Sequence, residues 1–199
     1  MKKLLFSTLF LASVAAYSQY TLPAASPRQK VEQQFSTSKI TVDYGRPGVK
    51  GRKIFGELVP YNKVWRAGAN SSTKITFDQA VNFGGNTVPA GTYGLFVIPT
   101  DKEWKLILNK DAQQWGAYAY DEKLNVTQVS APVQNLSEKQ EWFGIELNPV
   151  DDNALDMVIK WDMAKVSVPI KVANPELTTK VVDKLKEIRQ IERDAAAKK

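Results

Sequence analysis

Tyr93-Gly94-Leu95-Phe96-Val97-Ile98, the turn-forming Pro99-Thr100-Asp101, and Trp104-Lys105-Leu106-Ile107-Leu108-Asn109 together decide the fold. The first run is apolar on both faces, the mark of a central strand covered above and below. In the second, Trp104, Leu106 and Leu108 share one face, with Lys105 and Asn109 opposite, so it reads as a strand with period two. Pro99-Thr100-Asp101 supplies the reversal between them. Working outward, Ile40, Val42 and Tyr44 alternate with Thr41 and Asp43, and Lys74-Ile75-Thr76-Phe77 continues the type. Downstream, Phe143, Ile145 and Leu147 alternate, then Met157, Ile159 and Trp161, then Val166, Val168 and Ile170. Pro169, which lacks an N–H to donate, points to an edge strand for the last run. Gly84-Gly85, Pro89-Ala90-Gly91 and Asp151-Asp152-Asn153 punctuate the series. Short strands at this spacing predict a mostly β chain built as an antiparallel β-sandwich, jelly-roll-like, over residues 19–173.

The period changes after residue 173. Asn174 suits an N-cap and Pro175 the first helical position. Leu177, Val181, Leu185, Ile188, Ile191 and Ala195 then recur every three or four residues, with charged residues between them. This predicts one C-terminal amphipathic α-helix over residues 174–199. Its stripe is expected to pack on the sheet; pairing with a second chain, giving an oligomer, is the alternative.

The N-terminus has the three parts of an export signal: Lys2 and Lys3, an apolar run from Leu4 to Ala16, and small residues at Ala16 and Ser18. The apolar run is about 13 residues, short of the ~20 a spanning helix needs. Residues 1–18 are therefore read as a signal peptide cleaved before Gln19, with no integral membrane span. No cysteine follows the signal, which excludes a lipid anchor on an N-terminal cysteine. The periplasm is favoured over extracellular release.

Cleavage leaves 181 of the 199 residues, enough for one domain that buries its own core. The chain has no cysteine, so disulfides and thiol catalysis are absent. It has no histidine, which removes the usual general base near neutral pH and the commonest metal ligand. Serine–histidine triads are excluded, and no metal site or cofactor is expected. The balance leans away from an enzyme. The formal charge is +6, of which the two signal lysines supply two, leaving +4 on the mature chain. That is an ordinary surface excess, and no nucleic-acid motif accompanies it.

The charge is concentrated. Residues 46–66 hold Arg46, Lys50, Arg52, Lys53, Lys63 and Arg66 against Glu57 alone, a net +5, so the rest of the mature chain sums to −1. Arginine grips carboxylate or phosphate through two parallel hydrogen bonds, and Tyr61 and Trp65 stand beside these cations. A positively charged loop that simply faces water is the plainer reading. A second candidate is Trp115-Gly116-Ala117-Tyr118-Ala119-Tyr120-Asp121, where Tyr118 and Tyr120 would share a strand face and Gly116 would allow a bulge. Aromatic platforms suit the apolar faces of sugar rings; the plainer reading is that these rings fill core. Asp43, Glu57, Asp78, Asp121, Glu141 and Glu146 are scattered, and no spacing pairs two of them as a glycosidase requires. Asp151, Asp152, Asn153 and Asp156 do not have the spacing of an EF-hand loop.

The wording of several segments is specific: Ser26-Pro27-Arg28, Val42 to Phe55 (VDYGRPGVKGRKIF), Leu58 to Asn70 (LVPYNKVWRAGAN), Pro89 to Leu95 (PAGTYGL), Trp104 to Asn109 and Trp115 to Tyr118. In content and order they resemble the secreted bacterial family known as domain of unknown function 2911, over roughly residues 25–172. The resemblance implies an exported protein and supplies no activity.

Together these features favour a non-catalytic envelope module that binds a carbohydrate or another anionic ligand, with Arg46, Lys50, Arg52, Tyr61, Trp65, Arg66, Asn70, Trp115 and Tyr118 as candidate contacts. A carboxylate-dependent hydrolase of glycans is one rival, and an assembly protein pairing through its C-terminal helix is another. The export reading has a direct check: N-terminal sequencing of the protein recovered from the producing bacterium should begin at Gln19, and an intact Met1 would refute it.

Overall fold

The structure, a computed structural model, describes residues 22–197. The signal peptide assigned to residues 1–18 lies outside the described residues. The described residues form ten strands and one long helix: β1 (Arg28–Phe35), β2 (Ser38–Gly45), β3 (Thr73–Phe77), β4 (Val81–Phe83), β5 (Asn86–Val88), β6 (Gly91–Pro99), β7 (Glu103–Asn109), β8 (Asn125–Pro132), β9 (Gln134–Asp151), β10 (Ala154–Val172) and α1 (Pro175–Ala196). They build an antiparallel β-sandwich. One sheet has six strands in the order β1-β2-β3-β6-β7-β8, and the other has four in the order β5-β4-β10-β9.

The alternating residues face one core. Ile40, Val42 and Tyr44 from β2, Ile75 and Phe77 from β3, Leu95 and Val97 from β6, and Trp104, Leu106 and Leu108 from β7 meet Phe143, Ile145, Met157, Ile159, Trp161, Val166, Val168 and Ile170 from the opposite sheet. The sandwich forms because two sheets, each apolar on one face, can remove those faces from water only against each other.

The reason β6 is apolar on both faces is a second cover. Leu95 and Val97 point into the main core, while Phe96, fully buried, points the other way and meets Tyr120 edge-on at 5.1 Å between ring centroids. Residues 110–124 fold back over this outer face. Gly94 makes room for them, since a Cβ there would lie 2.6 Å from the carbonyl oxygen of Asp111. The Trp115–Asp121 segment therefore belongs to a covering loop, and Tyr118 and Tyr120 do not sit on one face of a strand as expected.

Two other expectations change. The run Met157–Ile170 is one strand, β10, flanked by β9 along Ala154–Lys165 and by β4 along Ile170–Val172. Pro169 is tolerated not because β10 is an edge strand but because it stands just outside the short β4 ladder, its carbonyl accepting from Gly84 N. The helix forms as read: the Asn174 side chain accepts from Leu177 N at 2.9 Å, and Pro175 opens the first turn. Its apolar stripe does not pack on the sheet. No residue of α1 is buried, and Leu177, Val181, Leu185, Ile188 and Ile191 are all exposed. The inner faces of the two sheets are already sealed against each other, and the apolar outer patch of β6 is taken by the 110–124 loop, so no such face remains for the helix. Among the described residues, no helix is long and apolar enough to cross a membrane.

Tyr44 links the sheets. Its hydroxyl, on a β2 side chain, accepts from Ile145 N of β9 at 3.0 Å and donates to Gln29 Oε1 at 3.0 Å, with the Ile145 carbonyl at 3.3 Å. Burial raises its pKa, partly offset by the hydrogen bond to Ile145. A phenol with a raised folded-state pKa stabilises the fold below its unfolded value of ~10, and that contribution is lost as pH climbs through the folded value. Tyr44→Phe should thus cost about 1–3 kcal/mol at neutral pH, because Ile145 N loses its acceptor. It should also flatten part of the alkaline fall in stability, leaving the share due to Tyr93, whose pKa burial also raises. Urea denaturation at neutral pH and above pH ~10 reads both effects.

Candidate functional site

The segment between β2 and β3 is anchored along β6 by two separate pairings. Trp65 exchanges backbone hydrogen bonds with Val97 at 2.8 Å each, and Thr73 begins the β3 ladder opposite Leu95. Only Phe96 lies between those two positions of β6, yet residues 66–72 must be accommodated on the other side. They are expelled as a loop.

That loop is tied at almost every step. Thr73 Oγ1 donates to the Ala67 carbonyl at 2.6 Å, Trp65 Nε1 to the Gly68 carbonyl at 3.0 Å, and Ser72 Oγ to the Ala112 carbonyl at 3.2 Å. Ala69 N donates to the Gly45 carbonyl. A Cβ on Gly45 would collide with the Ala69 carbonyl oxygen, so the two backbones touch only because residue 45 is glycine. Ala67 (φ 49) and Asn70 (φ 64) sit in the left-handed region. For Ala67 this costs of order 1–3 kcal/mol and persists only where the surroundings over-determine it, whereas asparagine adopts the region more readily.

The covering loop meets this tied loop directly. Ser71 and Trp115 form an antiparallel bridge, Gly116 N donates to the Asn70 carbonyl at 3.0 Å, and Ser72 N donates to the Gln114 carbonyl at 2.9 Å. Arg66, Asn70, Trp115 and Tyr118 are thereby brought into one neighbourhood. Arg66 is half-buried, and its buried Nε has no hydrogen-bond partner. Burial lowers its pKa, and Tyr118 is close enough to oppose that shift. Trp115 is 65% exposed and Tyr118 91% exposed, two large rings held at the surface beside a partly desolvated cation.

The remaining candidates lie elsewhere. Arg46 Nε donates to the Phe143 carbonyl at 3.0 Å, and Arg52 donates to the carbonyls of Val49 and Gly48 at 3.1 and 2.6 Å. Both guanidinium groups brace their own chain. Lys50 N donates to a carboxylate oxygen of Glu141 at 2.8 Å, and its Nζ lies 5.9 Å from the Trp142 ring centroid. Tyr61, 38% exposed, borders a separate cleft. Trp65 is a correction: it is 7% exposed, stacked on Trp161 at 5.8 Å with 18° between the ring planes, and edge-on to Phe55, Trp104 and Phe143. Trp65 offers no face to a ligand.

Two residues outside the candidate set organise the site. Arg28 pairs with Asp43 at 2.7 Å and reaches the Ser72 carbonyl at 3.4 Å, holding the tied loop from the β1 side. Asn109, fully buried, donates to the Asp121 carbonyl at 2.9 Å and to Asn125 Oδ1 at 2.8 Å, and accepts from Asp111 N at 2.9 Å. The one sequence signal for Asn109 was a polar residue closing an apolar strand. Of the scattered acids, Asp43 is held by Arg28, Glu57 by Lys53 and Glu146 by Lys160, while Asp121 caps the 3-10 turn Glu122–Leu124. Among the described residues, no cluster of three or more metal-ligating side chains occurs.

This geometry lies within the residues matched by one family model, described as Protein of unknown function (DUF2911), over residues 26–170. The chain belongs to this family. The DUF2911 match covers both anchoring strands and both loops of the site, and stops before α1. No curated protein and no solved structure matches the chain. A cleft of about 590 Å³ in the DUF2911 chain lies between the β1–β2 and β9–β10 turns and α1, away from Arg66. Its outer wall is a helix that buries no residue of its own.

Asn109→Ala should free the covering loop. The expected loss is about 1–3 kcal/mol, since the Asp121 carbonyl and Asp111 N both lose buried partners. Faster amide hydrogen exchange across residues 110–121, with β3 and β6 still protected, is the accompanying sign.

Proposed function

We infer that this DUF2911 chain is an exported envelope module, non-catalytic, that binds an acidic glycan through Arg66, Trp115 and Tyr118. The observation that carries the reading is Arg66: a guanidinium partly withdrawn from water with an unpartnered, buried Nε. Buried polar and charged groups in native proteins are nearly always paired, and each exception calls for an account. A carboxylate arriving at the terminal nitrogens of Arg66, which no hydrogen bond among the described residues engages, would pair the guanidinium through charge-assisted hydrogen bonds. Trp115 and Tyr118 would give a sugar ring an apolar surface to lie on, and they are exposed although rings of this size usually fill cores. The ties that keep Ala67 and Asn70 in left-handed conformations support the same reading, because they hold the loop that presents Arg66 in one shape before any ligand arrives. The signal peptide supports export, with the periplasm favoured.

Arg46 and Arg52 are omitted from the binding set because their guanidinium groups donate to backbone carbonyls, and Lys50 because its ammonium lies over Trp142, away from the tied loop. The test is titration with polygalacturonate, with dextran and inorganic phosphate as comparison arms. Polygalacturonate should bind, dextran should bind weakly or not at all, and phosphate alone should bind less tightly than polygalacturonate. Arg66→Ala should weaken polygalacturonate binding about tenfold or more. Arg66→Lys should recover only part of it, because lysine lacks the planar fork. Trp115→Ala should weaken binding while leaving the thermal midpoint nearly unchanged. Equal binding of dextran and polygalacturonate, or an unaffected Arg66→Ala variant, would overturn the reading.

A further inference from the structure

A second cleft, bordered by Tyr61, does not include Arg66. The β9–β10 ladder runs in register from Leu155↔Pro149 to Lys160↔Gly144 and then breaks twice, with Asp162 opposite Gln140 and Ala164 opposite Asn135. At the break, Asp162 adopts φ 53, a left-handed conformation in mid-strand. Bulges of this kind bend a strand and re-aim a side chain, and they are over-represented beside functional sites. Here the distortion brings Asp162 to the wall of a cleft of about 260 Å³, with Asp101 from the β6–β7 turn and Asn135 from the start of β9. The apolar lining includes Phe55, Tyr61 and Met163. Phe55 is braced from beneath by Trp104 at 4.8 Å, Tyr61 lies over Gly56, and Met163 is 41% exposed.

The size and the lining together set the ligand class. The cleft falls below the ~300–1,000 Å³ of pockets for drug-sized molecules, so it fits a single ring. Two carboxylates and a primary amide offer acceptors and a donor to hydroxyl groups, while the aromatic and thioether surface suits the C–H face of a saturated ring. Asp162 already has a cationic neighbour, Lys139 at 3.7 Å, which lessens the pull of the site on a cationic ligand. We propose that the cleft between Tyr61 and Asp162 binds one neutral pyranose ring.

The backbone supplies a clean variant. Asp162→Gly keeps the left-handed conformation at no steric cost and removes only the carboxylate, so the fold should be retained. Glucose, galactose, mannose and N-acetylglucosamine are titrated separately into isotope-labelled protein, with tetramethylammonium as the cationic arm. At least one sugar should shift the amide signals of Tyr61, Asp101, Asn135 and Asp162 together. Asp162→Gly should weaken that sugar about tenfold or more, and Tyr61→Ala should weaken it as well. Trp115→Ala should leave it unchanged, which separates this site from the one at Arg66. Absence of shifts with all four sugars, preferential binding of tetramethylammonium, or an Asp162→Gly variant that binds as tightly as the parent would each overturn the proposal.

Discussion

Trp65 is wedged between the sheets, and the rest of the structure is arranged around that wedge. Its ring stacks on Trp161 of the four-stranded sheet and meets Trp104, Phe55 and Phe143 at steep angles. Offset and edge-to-face pairs of this kind are worth about 0.5–1.5 kcal/mol each beyond the area they bury. Its backbone is also tied to Val97, and its indole N–H holds the Gly68 carbonyl. A residue fixed at ring, indole nitrogen and main chain leaves its neighbour no freedom. Arg66 is therefore delivered to one place, and residues 66–72, set opposite Phe96 alone, must loop out before Thr73 regains the ladder.

The same economy explains the second loop. The outer face of β6 carries Phe96, which water would penalise, and residues 110–124 cover it with Tyr120. Asn109 holds the ends of that cover together because a buried amide must be satisfied, and here it is satisfied three times. The cover thus serves packing first. Its exposed rim, Trp115 and Tyr118, is what packing did not consume, and it stands beside the tied loop through the Ser71 and Asn70 contacts.

The concentrated charge of residues 46–66 divides on folding. Arg46 and Arg52 spend their donors on backbone carbonyls, Lys53 pairs with Glu57 at 3.1 Å, and Lys50 lies over Trp142. Arg66 differs because it is the cation that burial partly desolvates while leaving Nε without an acceptor. Net charge over a segment describes its attraction for anions at a distance, whereas a binding site depends on which cations remain unspent at close range.

Several features were legible in the residues alone because they follow from local chemistry. Period-two alternation in β2, β3, β7, β9 and β10, with the run of β6 apolar on both faces, identified the sandwich, Gly84-Gly85 marked a turn, and Asn174-Pro175 the start of α1. β1, β8 and the first half of β9 were not legible: they are half-exposed or exposed for most of their length and carry little alternation, so nothing in their composition marks a strand until a partner's hydrogen bonds make one. The candidate site split for the same reason. Sequence could state that Arg66, Trp65, Trp115 and Tyr118 had the chemistry to bind, since residue type determines chemistry. Only the tertiary structure decided that Trp65 is core, that Arg46 and Arg52 are braces, and that Arg66 lies near Tyr118, because burial and proximity come from strand pairings between residues far apart in the chain.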